Sequence, residues 1–317
     1  MPVENALFLP AYNEAARIGP LIERARAAGL SVIVANDGSS DLTPEIARRS
    51  GAEVIDHPRN LGLAHAIRTL LRHAIARLPD DGVAVFMDAD GTMDPADAPA
   101  MIELIRSGEA DVVIASRFTE GGSERGVPLA RRLYSRGARA LFRILNPIPG
   151  VNDYTSGYRA YRVKLLRDLA NYDPLMFRAP GFSAATDLLL NLRRFHPRVR
   201  EVPLRLRYDL QENSKMRVAA TTLEYLRLAV RAALDPDLPV REGALLHVAG
   251  LSLRPVNEDA LIASASTLLR SAPVLRASSR TASLVPVLRS LERRGLLSVS
   301  PSGHELTHRA KNLIVPT

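Results

Sequence analysis

The chain has 317 residues, of which 46% are hydrophobic and 24% charged, a composition that excludes a disordered protein and allows one large domain and one small domain. It contains no cysteine, which excludes disulfides and thiolate metal sites and leaves oxygen and imidazole as the metal ligands. The net charge of +8 is consistent with phosphate-bearing ligands, although solvated, arginine-rich surfaces explain it equally well.

Short β-rich runs alternate with helical patterns through the first part of the chain. We expect strands at residues 5–11, 31–37, 52–57, 82–90 and 110–117. Between them we expect helices near residues 14–29, 41–50, 62–78 and 95–107. This alternation predicts an α/β fold with a mostly parallel sheet between two layers of helices. Because such sheets bind ligands outside the carboxyl ends of their strands, we expect the chemistry in the loops PAYNE, NDGSSD, HPRNLG and DADGTMD.

Beyond residue 120 the alternation of strand and helix patterns becomes less regular. The Gly- and Arg-rich segment TEGGSERGVPLARR predicts a mobile loop or lid. It is followed by a helix near 128–145, the segment GVNDYTSGYRAYR, a helical AATDLLLNLRRF, a strand-like VREVPLRLRY and a helix near 217–234. The sequence DPDLP after the last helix is typical of a domain boundary, so we expect domains at 1–237 and 238–317. Two helices and two short strands around a PSG turn predict a winged-helix-like C-terminal domain.

A cluster of acidic residues follows the fourth predicted strand directly. In AVFMDADGTMDP, a hydrophobic run is followed without a spacer by Asp88, Asp90 and Asp94. Carboxylates this close repel one another unless a cation lies between them, so a divalent metal site is one interpretation. The alternative is an ordinary strand end followed by a helix, with Asp94 as its N-cap and Pro95 in its first turn. Both interpretations can hold together.

Five motifs follow one another along the chain: PAYNE, NDGSSDLT, NLGLAHAIRTLLRHA, DADGTMDP and TSGYRAYR. In order and spacing they resemble the family 2 glycosyltransferases, and in particular the branch of dolichol-phosphate mannose synthases and polyprenyl-phosphate glycosyltransferases. The resemblance covers roughly residues 5–217. It implies a GT-A, Rossmann-like fold and an inverting, metal-dependent transfer of a hexose from a nucleotide sugar, either GDP-mannose or a UDP-hexose.

The resemblance also implies roles for individual residues. Asp88 and Asp90 would bind Mg²⁺ or Mn²⁺, and Thr92 stands where mannose synthases commonly carry Gln, which leaves a third side-chain ligand unassigned. Asp153 and Asp187 are alternatives for a general base, although Asp187 could equally offset a helix dipole. Catalysis would also involve Lys215 of ENSK, close to the donor phosphates. The nucleotide-sugar contacts would comprise Pro10, Tyr12, Glu14, Asp37, Arg59, Asn60, Asp88, Ala89, Asp90, Arg117, Arg159 and Ser214, with Arg131 and Arg162 as further phosphate candidates.

The sequence allows two classes of acceptor. The motif matches favour a polyprenyl phosphate, and PLARRLYSRGARALFRIL alternates basic and apolar faces as an interfacial helix does. No run of about 18 uncharged apolar residues is present, which together with the added domain argues for a small soluble metabolite as the alternative acceptor. We expect a cytoplasmic protein, or one peripheral to the inner face of the membrane.

Functions of other classes are disfavoured. A winged-helix, nucleic-acid-binding regulator with a degenerate enzyme domain would need clustered basic residues, whereas those of the C-terminal region are scattered and the acidic motif is intact. A nucleotidyltransferase would need a Gly-rich signature after the first strand, which is absent. We therefore expect the C-terminal domain to serve homodimerisation or acceptor recognition.

Overall fold

The computed structural model describes residues 4–210, 218–235, 238, 241–242, 245, 257–270, 284–293, 296–300 and 303–307. The chain divides into two compact units. The first comprises residues 1–167 and 178–233, and the second comprises residues 168–177 and 234–317. None of the described helices combines the length and the apolar character that crossing a bilayer requires.

The strands of the first unit form one large sheet and one small one. In chain order they are β1 Asn5–Ala11, β2 Ser31–Asn36, β3 Glu53–Asp56, β4 Val83–Phe86, β5 Val112–Ser116, β6 Ser123–Arg125, β7 Arg159–Arg162, β8 Val199–Pro203 and β9 Arg205–Arg207. The large sheet has seven strands in the order β3-β2-β1-β4-β7-β5-β8, and β6 pairs with β9 separately. All neighbours in the large sheet are parallel except β7, which is antiparallel to both β4 and β5. The predicted α/β class and mostly parallel sheet are thus confirmed.

Among the described residues from 4 to 235, eight α-helices lie between or after these strands. They are α1 Ala15–Ala27, α2 Thr43–Arg49, α3 Leu63–Arg77, α4 Ala98–Arg106, α5 Leu129–Leu145, α6 Val163–Tyr172, α7 Ala184–Leu192 and α8 Val218–Leu234. Apolar residues of β1 and β4 form the centre of the core against α1 and α4, as shown by the fully buried Leu7, Val85, Ile18 and Met101. Burial of this continuous apolar surface is the main favourable term in forming the sheet.

The fourth strand is shorter than its apolar run predicts. The sequence predicts a strand at 82–90, but β4 ends at Phe86, and the ladder continues only through the amide of Met87, which donates to the carbonyl of Phe8 at 3.2 Å. The chain then turns away from the sheet. Two carboxylates within a buried strand would lose their hydration, so the acidic residues belong to the following loop.

Strand β7 is absent from the sequence prediction. It inserts between β4 and β5, with Arg159 opposite Phe86 and Ile114. Because β7 is antiparallel to both neighbours, its amino end lies beside their carboxyl ends. The loop that precedes it, residues 153–158, is therefore brought to the edge of the sheet that carries the acidic loop.

Helix α5 is amphipathic, contains several arginines and has no acidic residue. Its inner face buries Ser135, Ala138 and Phe142. Its outer face is defined by the exposed side chains Leu129, Arg132, Leu133, Arg136, Arg143 and Ile144. Leu133 is 58% exposed and Ile144 is 78% exposed. The outer face of α5 therefore combines apolar surface with positive charge.

The described residues between 257 and 307 form two helices and a hairpin of the second unit. Helices α9 Glu258–Arg270 and α10 Val285–Arg293 precede the antiparallel strands β10 Leu297–Ser300 and β11 Gly303–Leu306. Leu261, Leu288, Leu291 and Leu297 are buried and supply apolar core side chains. The order of helix, helix and hairpin is the one the sequence predicts. The winged-helix assignment and the boundary at residues 237/238 stay predictions.

Candidate active site

A cleft of about 330 Å³ opens in the first unit where the loops after β1, β2 and β4 meet. This is the carboxyl edge of the parallel strands, where open α/β sheets place their ligands. Many of the predicted site residues line it: Pro10, Tyr12, Glu14, Asp37, Asn60, Asp88, Ala89, Asp90 and Arg117. The loops in which the sequence predicts the ligand-binding chemistry therefore lie close together in the fold.

Other predicted site residues lie elsewhere. Arg59 is exposed and is not among the residues lining the cleft. Arg159 is fully buried, and its guanidinium donates to the backbone carbonyls of Tyr154 and Ala185, so it supports the loop before β7 from the core side. Ser214 and Lys215 lie outside the described residues.

The acidic loop is ordered by its own side chains. The Thr92 hydroxyl donates to Oδ1 of Asp90 at 2.7 Å, and the Thr92 amide donates to the same oxygen at 3.0 Å. Asp94 accepts a hydrogen bond from the amide of Ala96 at 3.1 Å and caps a single 3-10 turn that begins at Pro95. The N-cap interpretation of Asp94 is thus confirmed. Asp88 and Asp90 remain directed to the cleft, where Thr92 fixes the orientation of the second carboxylate.

The acidic loop brings like charges close together at the cleft. Burial raises the pKa of Asp88 to about 7, with further contributions from the carboxylates of Asp90 and Glu14, while Arg131 opposes them. Within the described parts of the chain, no group of three or more His, Asp and Glu side chains forms a complete metal site. Mg²⁺ is commonly held by one or two carboxylates together with water and substrate phosphates. Asp88 and Asp90 fit such a shared site.

A second acid in the cleft is held by several donors. Asp37 is buried, and its carboxylate contacts Nδ1 of His57 at 2.8 Å and the backbone amides of Leu61 and Gly62 at 3.0 and 2.8 Å. These contacts lower the pKa of Asp37 even though burial, the largest single influence, raises it. Gly62 has a φ of +92°, which permits the turn that presents the two amides. Asp37 is therefore ionised and fixed in position.

Positive charge in the cleft comes from Arg117, which forms an ion pair with Asp153. Nε and Nη2 of Arg117 donate to the two carboxylate oxygens of Asp153 at 2.8 and 2.7 Å. The amides of Thr155 and Ser156 also donate to this carboxylate, which is fully buried. Burial raises the pKa of Asp153, but the charge and hydrogen bonds of Arg117 outweigh it and the pKa is lowered. Asp153 is thus committed to positioning Arg117, which itself lines the cleft.

Asp187 lies in the first turn of α7 and is buried away from the cleft lining. One oxygen accepts from the amides of Arg178 and Ala179 at 2.6 and 2.8 Å. The other accepts from Arg231 at 2.8 Å. The arrangement ties the start of α7 to the preceding segment and to α8.

Residues 6–170 match the sequence model described as Glycosyl transferase family 2. The chain belongs to this family. It is 32% identical over 204 residues to an undecaprenyl-phosphate mannosyltransferase of Micrococcus luteus, which covers 62% of this chain and 81% of that protein. It is 30% identical over 231 residues to a dolichol-phosphate mannosyltransferase of Pyrococcus furiosus, covering 70% of this chain and 61% of that protein. The predicted glycosyltransferase is confirmed at the level of the family.

Solved structures support the GT-A fold of this family 2 glycosyltransferase. Glucosyl-3-phosphoglycerate synthase of Mycobacterium tuberculosis in complex with phosphoglyceric acid has a TM-score of 0.57 and 24% identity, covering 72% of this chain and 79% of that one. The same enzyme in complex with Mn²⁺, UDP and glucosyl-3-phosphoglycerate has a TM-score of 0.54 and 22% identity, with the same two coverages. At this identity the likeness establishes the fold alone.

The family 2 glycosyltransferase cleft also has an apolar part that the sequence prediction missed. Its side chains come from the acidic loop, the segment before α5, α5 itself, the turn before α7, β9 with its flanking residues, and α8: Met93, Val127, Tyr134, Phe182, Leu204, Leu206, Tyr208 and Tyr225. Arg131 stacks over the ring of Tyr208, with its guanidinium carbon 4.6 Å from the ring centroid. Apart from Met93 of DADGTMDP, these residues belong to none of the five motifs, and only tertiary packing brings them together. The amphipathic pattern of α5 was the one available signal.

We expect Mn²⁺ binding by this glycosyltransferase to strengthen as the pH rises to about 7 and to level off above it. A carboxyl group binds a cation only when it is ionised, so with Asp88 as a ligand the affinity should fall by up to about tenfold per pH unit below that value. The pKa of Asp88 is raised above its ordinary value of 3.8, so this group's contribution to the free energy of unfolding should decline as the pH rises from 3.8 through 7. Mn²⁺ should restore the stability lost.

Calorimetric titration of Mn²⁺ at several pH values, with thermal unfolding in parallel, measures both effects. Asp88→Asn keeps the shape of the side chain and removes its titration, so both pH dependences should flatten in that variant. If the slope of Mn²⁺ affinity in Asp88→Asn equalled that of the unsubstituted chain, the assignment of Asp88 would be wrong.

Proposed function

We propose that the chain transfers a hexose from a nucleoside diphosphate sugar to a polyprenyl phosphate, with inversion at the sugar and with Mg²⁺ or Mn²⁺ held by Asp88 and Asp90. The observation that carries this proposal is the arrangement of one cleft. Paired carboxylates, one with a strongly raised pKa, line it together with the guanidinium groups of Arg117 and Arg131. The carboxylates can hold a cation that binds the diphosphate of the donor, and the guanidinium groups can bind the phosphate of the acceptor.

The donor would lie along the loops after β1, β2 and β4. A bound cation would act as a Lewis acid, neutralising the charge on the departing nucleoside diphosphate. Thr92 keeps the Asp90 carboxylate in one orientation, and Asp37 offers a fixed, ionised acceptor for an N–H of the base. Ser214 and Lys215 keep their predicted role at the donor phosphates.

The acceptor phosphate would be bound by Arg117 and Arg131. The bidentate pair with Asp153 holds the Arg117 guanidinium in place, which reduces the conformational entropy lost on binding a phosphate. A phosphate nucleophile is already ionised near neutral pH and needs little help from a general base. We therefore propose that Asp153 and Asp187, both engaged by other groups, act in positioning and not as bases.

The lipid part of the acceptor suits the remaining surface. The apolar part of the cleft, including Tyr134, Leu206 and Tyr225, offers a lining for isoprene units. The outer face of α5 offers apolar and cationic groups of the kind that adsorb to anionic lipid. The two mannosyltransferases above are named after the polyprenyl phosphates undecaprenyl phosphate and dolichol phosphate. Their names support the same acceptor class for this chain.

We propose further that residues 238–317 form a winged-helix-like accessory domain. Its two helices and hairpin bury leucines, as such a domain requires. The exposed Arg289 of α10 is paired with Glu258 and Glu292, which reduces the positive potential that DNA binding needs. Homodimerisation or acceptor recognition therefore suits this region better.

A transfer assay tests the proposed function. UDP-hexoses and GDP-hexoses are offered in turn with Mn²⁺ and a short-chain polyprenyl phosphate, with the matching dephosphorylated polyprenol as control. We expect a glycolipid product from the phosphate alone, and none when the metal is chelated. Transfer only to a water-soluble acceptor would overturn the lipid acceptor, and a folded sample that neither transfers nor hydrolyses any donor would overturn the proposed activity.

A further inference from the structure

We infer that the donor site selects uracil over guanine, and that His57 is the positioning residue that enforces the choice. The inference rests on the proposed function, because it concerns the base of the proposed nucleotide-sugar donor. It follows from the number of hydrogen bonds that the Asp37 carboxylate already accepts.

An ionised carboxylate has about four acceptor positions, two on each oxygen. On Asp37, Oδ1 is contacted by Nδ1 of His57 at 2.8 Å and by the amide of Leu61 at 3.0 Å. Oδ2 accepts from the amide of Gly62 at 2.8 Å. Because an ionised carboxylate can only accept, Nδ1 of His57 must carry the proton. Oδ1 is therefore saturated, and Oδ2 keeps a single acceptor position.

The imidazole of His57 is fixed at both of its nitrogens. Nε2 lies 2.9 Å from the hydroxyl of Thr69 on α3, and the ring packs edge-on against His65 with centroids 5.0 Å apart. The backbone amide of His57 donates to the carbonyl of Asn36, next to Asp37, at 2.9 Å. The contacts that occupy Oδ1 are therefore part of the packing between the loop after β2 and the loop after β3.

The loop that carries Asp37 packs closely against the loop after β3. Gly38 has a φ of +68°, and a Cβ added there would come within 2.3 Å of the backbone carbonyl carbon of Arg59. Only glycine allows the loop after β2 to lie this close to the loop after β3. Turning Oδ1 of Asp37 toward the cleft would break its contacts with His57 and Leu61.

The two bases differ in the donors that they present to such an acid. Guanine offers N1–H and the adjacent exocyclic amino group, which pair with a carboxylate through two parallel hydrogen bonds, one to each oxygen. Uracil offers only N3–H, between two carbonyls, and needs one acceptor position. Guanine at Asp37 would leave a donor unpaired, which weakens binding on the order of tenfold to a hundredfold.

Calorimetric titration of the full chain with UDP and with GDP, each in the presence of Mn²⁺ and without acceptor, tests the inference. We expect UDP to bind at least about tenfold more tightly than GDP. His57→Leu removes the Nδ1 donor, so UDP should bind about tenfold more weakly and the difference between the nucleotides should shrink. His57→Asn places an amide N–H close to the position of Nδ1, so it should retain most of the preference. In transfer assays, His57→Leu should raise the KM for the donor and leave kcat nearly unchanged.

Each other outcome overturns a defined statement. Equal affinities, or tighter binding of GDP, would overturn the base preference and leave the proposed function standing. A folded sample that binds neither nucleotide with Mn²⁺ would overturn both. If His57→Leu and His57→Asn lowered kcat and thermal stability equally, with no change in the ratio of UDP to GDP affinity, His57 would be a structural residue and the positioning role would be wrong.

Discussion

Asp90→Ala is expected to reduce metal-dependent transfer by about a thousandfold or more. A divalent cation bound at a departing diphosphate contributes several kcal/mol to the transition state, and each 1.36 kcal/mol is about a factor of ten in rate. Removing one of the two proposed carboxylate ligands should eliminate most of this contribution. Initial rates measured across a Mn²⁺ titration would show a lower kcat and a loss of the metal dependence.

Asp94→Ala is the matched control for that substitution. Asp94 lies in the same loop, but its carboxylate caps the turn at Pro95 through the amide of Ala96. The variant should lose about 1 kcal/mol of stability and retain its rate within a few fold. Thr92→Val, which removes the hydroxyl donor to Asp90, should fall between the two. Full metal-dependent activity in Asp90→Ala would contradict the assignment of the ligand.

Arg117→Ala is expected to lower the free energy of unfolding by about 3–5 kcal/mol, because it leaves the buried carboxylate of Asp153 without its partner. The double variant Arg117→Ala/Asp153→Ala removes the stranded charge as well and should recover part of the loss. Urea denaturation of both single variants and the double variant measures the coupling. Additive losses would show that the pair does not act as a unit.

The pH dependence of stability has a defined sign in this pair. The pKa of Asp153 is lowered by Arg117, so its contribution is present above the ordinary value of 3.8 and is lost as the pH falls through the lower folded value. In Arg117→Ala this contribution should disappear. Glu4→Gln is the control, because Glu4 pairs with Arg106 at an exposed position and the substitution should change stability by less than about 1 kcal/mol.

The fold of the first 117 residues was accessible from the sequence because its runs are periodic and separated by polar loops. The runs SVIVAN and VVIAS, for example, form β2 and β5 within one or two residues of their expected bounds. β7 was not accessible, because RAYR is a short run without an apolar pattern. Its place between β4 and β5 depends on contacts with distant parts of the chain, which local periodicity does not encode.

The same limit applies to the candidate site. The acids after β2 and β4 could be predicted because their loops follow strand ends directly. Whether a charged residue faces the cleft or the core depends on a partner far away in sequence, as with Arg117 and Asp153, 36 residues apart, or Asp187 and Arg231, 44 residues apart. His57 was missed for this reason, since its carboxylate partner is 20 residues away.

The outer face of α5 should determine which acceptor concentration, in bulk or within the lipid surface, controls the rate of the proposed reaction. Apolar and cationic side chains exposed together adsorb to anionic surfaces, and the charge component weakens as the Debye length shortens from about 10 Å at 0.1 M salt to about 3 Å at 1 M. With an acceptor embedded in lipid, turnover would then depend on the mole fraction of acceptor within the surface. Diluting the acceptor with inert anionic lipid would slow the reaction at constant bulk concentration, while raising the ionic strength would release the enzyme from the surface.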